Sequence, residues 1–167
     1  MELGDKIKDD ESRIILDKVE LSHLDLILRW FNDKEISRFM DDEERYTKGK
    51  TPNYKLDDLK ELLNPPKTDI YYVIKYGGSL IGFAQIYDIS NNSGEFSFLI
   101  GDPSSRGKGL GKKIVSGLCE KAKENNLNKL ICSVNKQNLP SIKSVEKNNF
   151  EEVSRTETEI FYKRPIN

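Results

Sequence analysis

The chain has 167 residues, 36% hydrophobic and 33% charged, and this length and balance fit one folded domain rather than two domains or a disordered chain. Its 27 Lys and Arg residues nearly balance 28 Asp and Glu residues, so the net charge of -1 gives no overall field to attract nucleic acid or an anionic membrane. No run approaches the roughly 18 apolar residues of a membrane span, and Met1 to Glu11 are charged where a signal peptide would be apolar, so we expect a cytoplasmic protein.

The first part of the chain predicts one strand, three helices and a long loop. Residues 13–19 read as a strand, and Ser22 is expected to cap the helix that follows it. A second, short helix is predicted around residues 34–40, and a third over residues 55–63. Residues 41–54 are polar and have no hydrophobic period, which predicts a loop between the last two helices.

From Asp69 onward the pattern predicts strands and helices in alternation. Two strands joined at Gly77-Gly78 form a hairpin over residues 70–75 and 79–89. The later elements are a strand over 95–100, a helix over 109–125, a strand over 128–134, a helix over 139–148, and strands near 150–155 and 158–163.

The helix predicted over residues 109–125 carries an apolar stripe opposite a face of lysines, so it must pack on a sheet. Because it joins the strand over 95–100 to the strand over 128–134, these strands are expected to be parallel neighbours. The helix then begins at their carboxyl edge, where open α/β sheets bind ligands.

The two cysteines do not indicate a metal site. Cys119 falls in this helix and Cys132 in the strand after it, without metal-ligand spacing, and the chain has only 1 His. We therefore expect two core thiols and no bound metal.

A turn rich in glycine and basic residues, Arg106-Gly-Lys-Gly-Leu-Gly111, opens the same helix. Its three glycines carry no side chain that would block a ligand, so several backbone N–H groups can point at one anion beside the helix dipole. Arg106, Lys108, Lys112 and Lys113 add positive charge there. A phosphate or pyrophosphate fits this turn best, although such a turn can also serve only to redirect the chain.

Two other phosphate-binding motifs fit poorly. A Walker loop has four residues between its glycines before Gly-Lys-Ser/Thr, whereas five residues separate Gly101 from Gly107, and Lys108 precedes Gly109. A dinucleotide fingerprint, Gly-x-Gly-x-x-Gly, fails where Lys112 takes the place of its last glycine. We exclude an NTPase, and a dinucleotide site is only weakly indicated.

The turn resembles motif A of the GNAT acetyltransferase superfamily, Gln/Arg-x-x-Gly-x-Gly/Ala. Downstream, Asn138-Leu-Pro-Ser141-Ile-Lys-Ser-Val-Glu-Lys147-Asn-Asn-Phe150 resembles that family's Asn-x-x-Ser segment leading into Tyr-Glu-Lys-x-Gly-Phe. The two matches have the right order and separation, and with the strands between them they cover about residues 70–163. Arg29-Trp-Phe-Asn-Asp-Lys-Glu-Ile-Ser-Arg-Phe39 resembles a segment of the RimJ/RimL-type branch, which also contains amino-sugar and aminoglycoside acetyltransferases.

The resemblance implies a single α/β (α+β) domain over residues 1–167 with the GNAT fold. Its mixed, mostly antiparallel sheet would be flanked by helices, with a parallel pair splayed at the cofactor site. Residues 1–68 would supply the acceptor-side helices and loop, and residues 69–163 the cofactor-binding core.

The implied activity is acetyl-CoA-dependent N-acetylation, with acetyl-CoA as co-substrate. The acceptor would be a primary amine that attacks directly and belongs to a small molecule, an amino sugar or aminoglycoside, or a protein N-terminus. No nucleic acid or membrane partner is expected, and the oligomeric state stays open between monomer and homodimer. Nucleic-acid binding through the basic patch Lys108 to Lys113 is the least favoured alternative.

By the same resemblance, the backbone at Phe98, Leu99 and Ile100 would bind the pantetheine arm like an added strand, and the glycine turn would hold the pyrophosphate. Asn138 would contact the pantetheine or the adjoining helix, and Ser141 would lie near the thioester sulfur as a catalytic residue. The implied cofactor-binding set is Phe98, Leu99, Ile100, Arg106, Gly107, Lys108, Gly109, Leu110, Gly111, Lys112, Asn138, Ser141 and Lys147.

The acceptor pocket is assigned to Trp30, Phe31 and Glu35, because in this branch the first two helices wall that pocket. Burial in the core is the commoner role for Trp30 and Phe31. The run Asp41 to Glu44 is most often a solvated loop, and if it borders the pocket it would attract a cationic acceptor.

An amine attacks a thioester only when it is neutral, so a base must receive its proton. Glu95 matches the position where many family members place that base, and an exposed strand carboxylate explains it equally well. The tetrahedral oxyanion needs a donor, which a backbone N–H near Leu99 would supply where the parallel strands splay.

Val145 stands where the family usually has the tyrosine that protonates the leaving thiolate. Ser141 or Ser144 acting through water, or Tyr162, would have to replace it, unless the acidic coenzyme A thiol leaves without help. The missing tyrosine keeps one alternative open, a module that binds acyl-CoA without turnover.

Overall fold

The computed structural model describes residues 13–37 and 53–167, which contain seven strands and four α-helices. The strands are β1 (Ile14–Lys18), β2 (Ile70–Tyr76), β3 (Ser79–Ser90), β4 (Ser93–Ile100), β5 (Lys129–Asn135), β6 (Glu151–Arg155) and β7 (Glu159–Pro165). The helices are α1 (Leu24–Asn32), α2 (Lys34–Ser37), α3 (Leu110–Glu124) and α4 (Leu139–Glu146). Short 3₁₀ helices cover Leu21–His23, Leu56–Leu63 and Pro103–Ser105.

Most differences from the predicted elements lie before residue 69. Ser22 does not cap α1, because it lies inside the 3₁₀ helix Leu21–His23, where the His23 Nδ1 atom accepts the Glu20 N–H at 3.0 Å. Residues 56–63 form a 3₁₀ helix rather than an α-helix, and its buried leucines stand three residues apart, the period of that helix. The end of the predicted second helix and most of the predicted loop, including Asp41 to Glu44, lie outside the described residues.

The strands form one sheet in the order β1-β2-β3-β4-β5-β7-β6. All neighbouring strands are antiparallel except β4 and β5, which are parallel, as the crossover through α3 predicts. This parallel pairing runs only from Ser93–Lys129 to Glu95–Ile131, although β4 continues to Ile100 and β5 to Asn135. The two strands therefore part after Glu95, and the predicted splayed pair is present.

Hydrophobic clusters cover both faces of the sheet. One face packs against α3 through buried residues such as Ile114 and Leu118, and Phe96 of β4 belongs to this cluster. The other packs against α1 and the 3₁₀ helix Leu56–Leu63, and Leu99 of β4 belongs to that cluster. Because side chains alternate along a strand, Glu95 shares the α1 face with Leu99.

Two further expectations concern the core and the membrane. Cys119 and Cys132 are buried free thiols, as expected. Burial raises the pKa of both thiols. Among the described helices, none has the length and apolar content that a bilayer crossing requires.

Gly101 follows β4 directly and packs against the indole ring of Trp30, so a Cβ atom at this position would overlap the ring. We predict that Gly101→Ala lowers the free energy of unfolding by about 1–3 kcal/mol, because the indole or the backbone must move. Urea denaturation followed by circular dichroism measures this loss. The matched control is Gly117→Ala in α3, where the new methyl group would meet only the Leu16 side chain, at 3.3 Å. There the gain in helix propensity, about 0.5–1 kcal/mol, offsets the contact, and equal losses in the two variants would contradict the prediction.

Candidate functional site

Asp102 holds the turn between β4 and α3. Its carboxylate accepts hydrogen bonds from Ser105 Oγ at 2.8 Å, from Ser104 Oγ at 2.9 Å and from the Ser104 N–H at 3.2 Å. The bonds from Ser105 and then from Ser104 lower the pKa of the Asp102 carboxyl. An ionised carboxylate therefore fixes the 3₁₀ helix that leads into the glycine turn.

The glycine turn has a backbone that requires glycine and leaves space above it. Gly107 and Gly109 both have φ of +72°, in the left-handed region that glycine adopts without strain. A Cβ atom at either position would meet nothing within 4 Å. Gly109 begins α3 and no side chain of the described residues caps it, so the N–H groups of the first helical turn are available to an anion.

Arg106 lies back over the end of β4. Its Nε and Nη2 atoms both donate to the Ile100 carbonyl oxygen, each at 3.2 Å. Two bonds to one acceptor fix the plane of the guanidinium next to the glycine turn. The cation is thus already positioned beside the amides that an anion would contact.

A cavity of about 870 Å³ lies between the end of β4, the glycine turn, the start of α3 and α4. Every cofactor-binding residue predicted from the sequence lines it, except Lys108, which is exposed at the turn. The two matched motifs therefore meet around one space, although they lie about 30 residues apart in the chain. That these residues contact a cofactor stays a prediction.

The serine candidates and the tyrosine candidate for the leaving-group acid lie in different places. Ser141 and Ser144 line the cavity, and Ser144 Oγ donates to the Pro140 carbonyl at 2.9 Å. Tyr162 does not line it, since its hydroxyl donates to Glu146 Oε1 at 3.2 Å and burial raises its pKa to about 12. Val145 is buried in the core. Of the three candidates, only the two serines adjoin the cavity.

Asn138 and Ser141 form the start of α4. The Asn138 side chain accepts the Ser141 N–H at 3.4 Å and thereby caps the helix. The predicted contact of Asn138 with the pantetheine or the adjoining helix stays a prediction. The bond fixes the first turn of α4, and Ser141 of that turn lines the cavity.

Asn148, which sequence reasoning missed, joins α3 to α4. Its buried amide donates to the Lys112 carbonyl at 3.0 Å and to the Ser144 carbonyl at 2.8 Å. Opposite this bond Gly111 lies against Ser144 Oγ, so closely that no side chain fits at position 111. Neither the hydrophobic periodicity nor a residue of the matched motif marks Asn148, because its partners are carbonyl groups that only folding brings near it.

Lys143 also lines the cavity and was missed. It stands four residues before Lys147, and residues with this spacing share one face of a helix. The spacing was therefore the signal that could have found it.

Glu95 lies away from this cavity, at the point where β4 parts from β5. It is partly buried and lines a second cavity of about 720 Å³ with Asp88, Lys129 and Lys163. Burial raises the pKa of Glu95, the negative charges of Asp88 and Glu159 raise it further, and a hydrogen bond with Tyr87 opposes them. The carboxylate thus has an environment that favours proton uptake.

The residues assigned to the acceptor pocket separate into two groups. Trp30 and Phe31 are buried, Trp30 against Gly101 and Phe31 edge-on to Phe83 with ring centroids 5.2 Å apart, and neither lines the two cavities. Glu35 lines the larger cavity.

Across residues 13–37 and 53–167, no three His, Cys, Asp or Glu side chains are grouped as ligands for a metal ion.

Comparison with protein families gives one match over most of the chain. Residues 13–151 match the family model described as the acetyltransferase (GNAT) domain. Among curated proteins, none matches this sequence significantly. The family match includes both the glycine turn and the segment from Asn138 to Phe150.

Comparison with solved structures confirms the fold. Spermidine N-acetyltransferase from Vibrio cholerae, in complex with CoA and spermine, is similar with a TM-score of 0.78 and 20% identity, over 92% of this chain and 96% of that chain. A domain from Methanocaldococcus jannaschii has a TM-score of 0.75 and 21% identity, over 92% of this chain and 99% of that chain. AAC(6')-Ib in complex with ribostamycin and coenzyme A has a TM-score of 0.74 and 20% identity, over 92% of this chain and 94% of that chain. At such identities the likeness concerns the fold.

The raised pKa of Glu95 predicts how the stability of the fold depends on pH. The folded chain holds a proton at Glu95 more tightly than the unfolded chain, so stability falls as pH rises from the usual 4.5 through the raised pKa. Above that window the ionised carboxylate destabilises the fold. We predict that Glu95→Gln raises the Tm at pH 8 relative to the wild type and changes it little at pH 4. Differential scanning calorimetry tests this, with Glu157→Gln at an exposed position as control. A Tm at pH 8 below that of the wild type would contradict the prediction.

The contacts of Asn148 predict a selective effect on the cofactor side. Asn148→Ala removes the bond to Lys112, so the first turn of α3 is less firmly held, and the KM for acetyl-CoA should rise about 3- to 10-fold, consistent with one lost hydrogen bond. The KM for the amine should change by less than about a factor of two, as expected for a substitution that lies far from the amine. Steady-state kinetics measures both, and Asn125→Ala is the control, because Asn125 makes the same kind of bond to the Lys121 carbonyl at the far end of α3. An equal rise in the two KM values would refute a role in positioning.

Proposed function

Because the chain belongs to the acetyltransferase (GNAT) domain family and is an acetyl-CoA-dependent N-acetyltransferase, we propose that it acetylates a primary amine of a small cationic molecule. Polyamines and aminoglycosides are the acceptor classes that we favour. The observation that carries the proposal is the position of Glu95, a partly buried carboxylate at the point where β4 and β5 separate. The gap in the sheet begins after Glu95, and Phe98 to Ile100, which line the larger cavity, follow on the same strand.

The larger cavity suits coenzyme A in shape and in charge. Its glycine turn is open, the first amides of α3 have no side-chain cap, and Arg106 and Lys112 lie beside them. We assign the pyrophosphate to these groups. Beyond Glu95 the edge of β4 is no longer paired with β5, so the backbone at Phe98 to Ile100 would bind the amides of the pantetheine arm.

In the proposed reaction, Glu95 accepts a proton from the ammonium group of the acceptor, directly or through a water molecule. The neutral amine attacks the thioester carbonyl carbon and forms the new C–N bond. A backbone N–H near Leu99 stabilises the oxyanion. The nitrogen of the tetrahedral intermediate then loses its extra proton, and Ser141, which lines the cavity, relays that proton to the sulfur as the C–S bond breaks, so that the amide and the free thiol are released.

The charges around Glu95 support a cationic acceptor. Asp88 and Glu159 both interact electrostatically with Glu95, so an ammonium group there would neutralise part of their repulsion. Lys129 and Lys163 line the β5 and β7 side of the same cavity and direct a cation toward β3 and β4. The similar spermidine and aminoglycoside acetyltransferases are named for polycationic acceptors.

A substrate panel tests the proposal directly. The full chain is incubated with acetyl-CoA and with spermidine, spermine, kanamycin, an amino sugar or a peptide with a free N-terminus, while thiol release and the mass of the amine are followed. Saturable release with a polyamine or an aminoglycoside, together with the mass gain of one acetyl group, is expected. Binding of coenzyme A without turnover of any amine would contradict it and indicate a binding module.

The role of Glu95 predicts a pH profile as well as a rate. Glu95→Gln should lower kcat/KM about 10²- to 10⁴-fold, the usual contribution of a general base. In the wild type the acidic limb of kcat/KM should lie above the usual carboxylate range, because Glu95 must lose its proton and its pKa is raised. Asp88→Asn removes one cause of that raised pKa, so the limb should move to lower pH, and the KM for a cationic acceptor should rise because Asp88 also contributes negative charge to that cavity. Asp88 has a φ of +51°, which Asn tolerates. An acidic limb that does not move in Asp88→Asn would speak against Glu95 as the base.

A further inference from the structure

A serine of β4 lies between the base and the oxyanion donor of the proposed reaction. Side chains alternate along the strand, so Ser97 shares the α1 face with Glu95 and Leu99. Glu95 lines the second cavity, and Leu99 lines the larger one. Ser97 therefore lies on the stretch of β4 that joins the two cavities.

A hydrogen bond across the sheet holds the Ser97 hydroxyl. Gln85 of β3 is its register partner, and Gln85 Nε2 donates to Ser97 Oγ at 2.9 Å. Both residues are partly buried, and Ser97 lies where β4 is no longer paired with β5. The bond from Gln85 takes one of the two acceptor positions of the hydroxyl, so the other acceptor position and the hydroxyl proton can serve further partners.

The separation along β4 is long for a single proton transfer. A strand rises about 3.3 Å per residue, so Glu95 and Leu99 lie about 13 Å apart along it, and Ser97 lies about 7 Å from each. An amine that attacks a carbonyl group held by the N–H near Leu99 must itself lie beside Leu99. Because a proton moves only between groups within hydrogen-bond reach or through a water molecule, a group between Leu99 and Glu95 is needed.

We propose that Ser97 relays a proton from the ammonium group of the acceptor to Glu95, and that Gln85 positions Ser97 for this step. The proposal rests on the proposed function and specifies the path of its first proton transfer. The ammonium group donates to Ser97 Oγ, and the hydroxyl passes its own proton through a water molecule to the Glu95 carboxylate as it takes up the ammonium proton. The amine is then neutral, Glu95 is protonated and the serine is unchanged, and no bond between heavy atoms forms or breaks.

A double-mutant cycle between Ser97 and Glu95 tests the relay. With a polyamine as acceptor at pH 7, Ser97→Ala should lower kcat/KM about 10- to 50-fold, less than the ~10²- to 10⁴-fold contribution of a general base, because water partly replaces the hydroxyl. In the Glu95→Gln background the same substitution should cost less than about twofold, since two groups on one proton path do not act additively. Ser97→Thr keeps the hydroxyl and should keep most of the rate.

The pH dependence separates a relay from a packing effect. As the pH rises from 7 toward the pKa of the amine, about 10, more of the acceptor arrives neutral and needs no relay. The ratio of kcat/KM between the wild type and Ser97→Ala should therefore fall with rising pH. A packing defect would lower the rate by the same factor throughout.

Two further variants examine the positioning role and the specificity of the effect. Gln85→Leu removes the donor at similar volume and should lower kcat/KM about 3- to 10-fold, consistent with one lost hydrogen bond, with no further loss in the Ser97→Ala background. Ser154→Ala, on the exposed strand β6, is the matched control and should leave kcat/KM unchanged. Isothermal titration calorimetry should give the same affinity for coenzyme A in all these variants.

The outcomes distinguish the relay from the proposed function. Equal losses from Ser97→Ala with and without Glu95, or a ratio that does not change with pH, would overturn the relay and leave the base in place. If Glu95→Gln keeps the rate of the wild type, or if the wild type turns over no amine, the proposed function itself is wrong and the relay fails with it.

Discussion

The arrangement of the whole site depends on the parting of β4 from β5 after Glu95 and Ile131. Backbone N–H and C=O groups inside a protein need partners, and the edge of β4 beyond Glu95 has lost the strand that would supply them. Beyond Glu95 no hydrogen-bonded β4–β5 pair separates the two faces of the sheet. A fully paired β4–β5 ladder would leave Glu95 and the glycine turn on opposite sides of a closed sheet.

A small set of contacts holds α3 beside α4, where both helices line the larger cavity. Gly111 allows the two helices to touch at Ser144, and Asn148 bonds to a carbonyl of each helix. The glycine at 111 therefore has a packing role besides any role toward a ligand, since its φ is not in the left-handed region, unlike those of Gly107 and Gly109. One short sequence thus combines a conformational requirement at two positions with a steric one at the third.

Much of the fold and of the larger cavity was predictable, because local pattern decides it. The crossover through α3 predicted the parallel pair, and every predicted cofactor-binding residue except Lys108 lines the larger cavity. Features that depend on how distant parts of the chain approach were not predictable. A 3₁₀ helix replaces the α-helix expected near residue 59, Trp30 turns toward Gly101, and Asn148 finds a carbonyl of another helix. Glu95 lies away from the larger cavity, on the α1 face, and this position likewise depends on where β4 and β5 part.

The guanidinium of Arg106 is held by the Ile100 carbonyl through two hydrogen bonds. A long arginine side chain normally surrenders its rotational freedom when it captures an anion, and that loss subtracts from the affinity. Here much of the freedom is given up when the chain folds. For the pyrophosphate proposed to bind there, the entropic penalty of association would be correspondingly smaller.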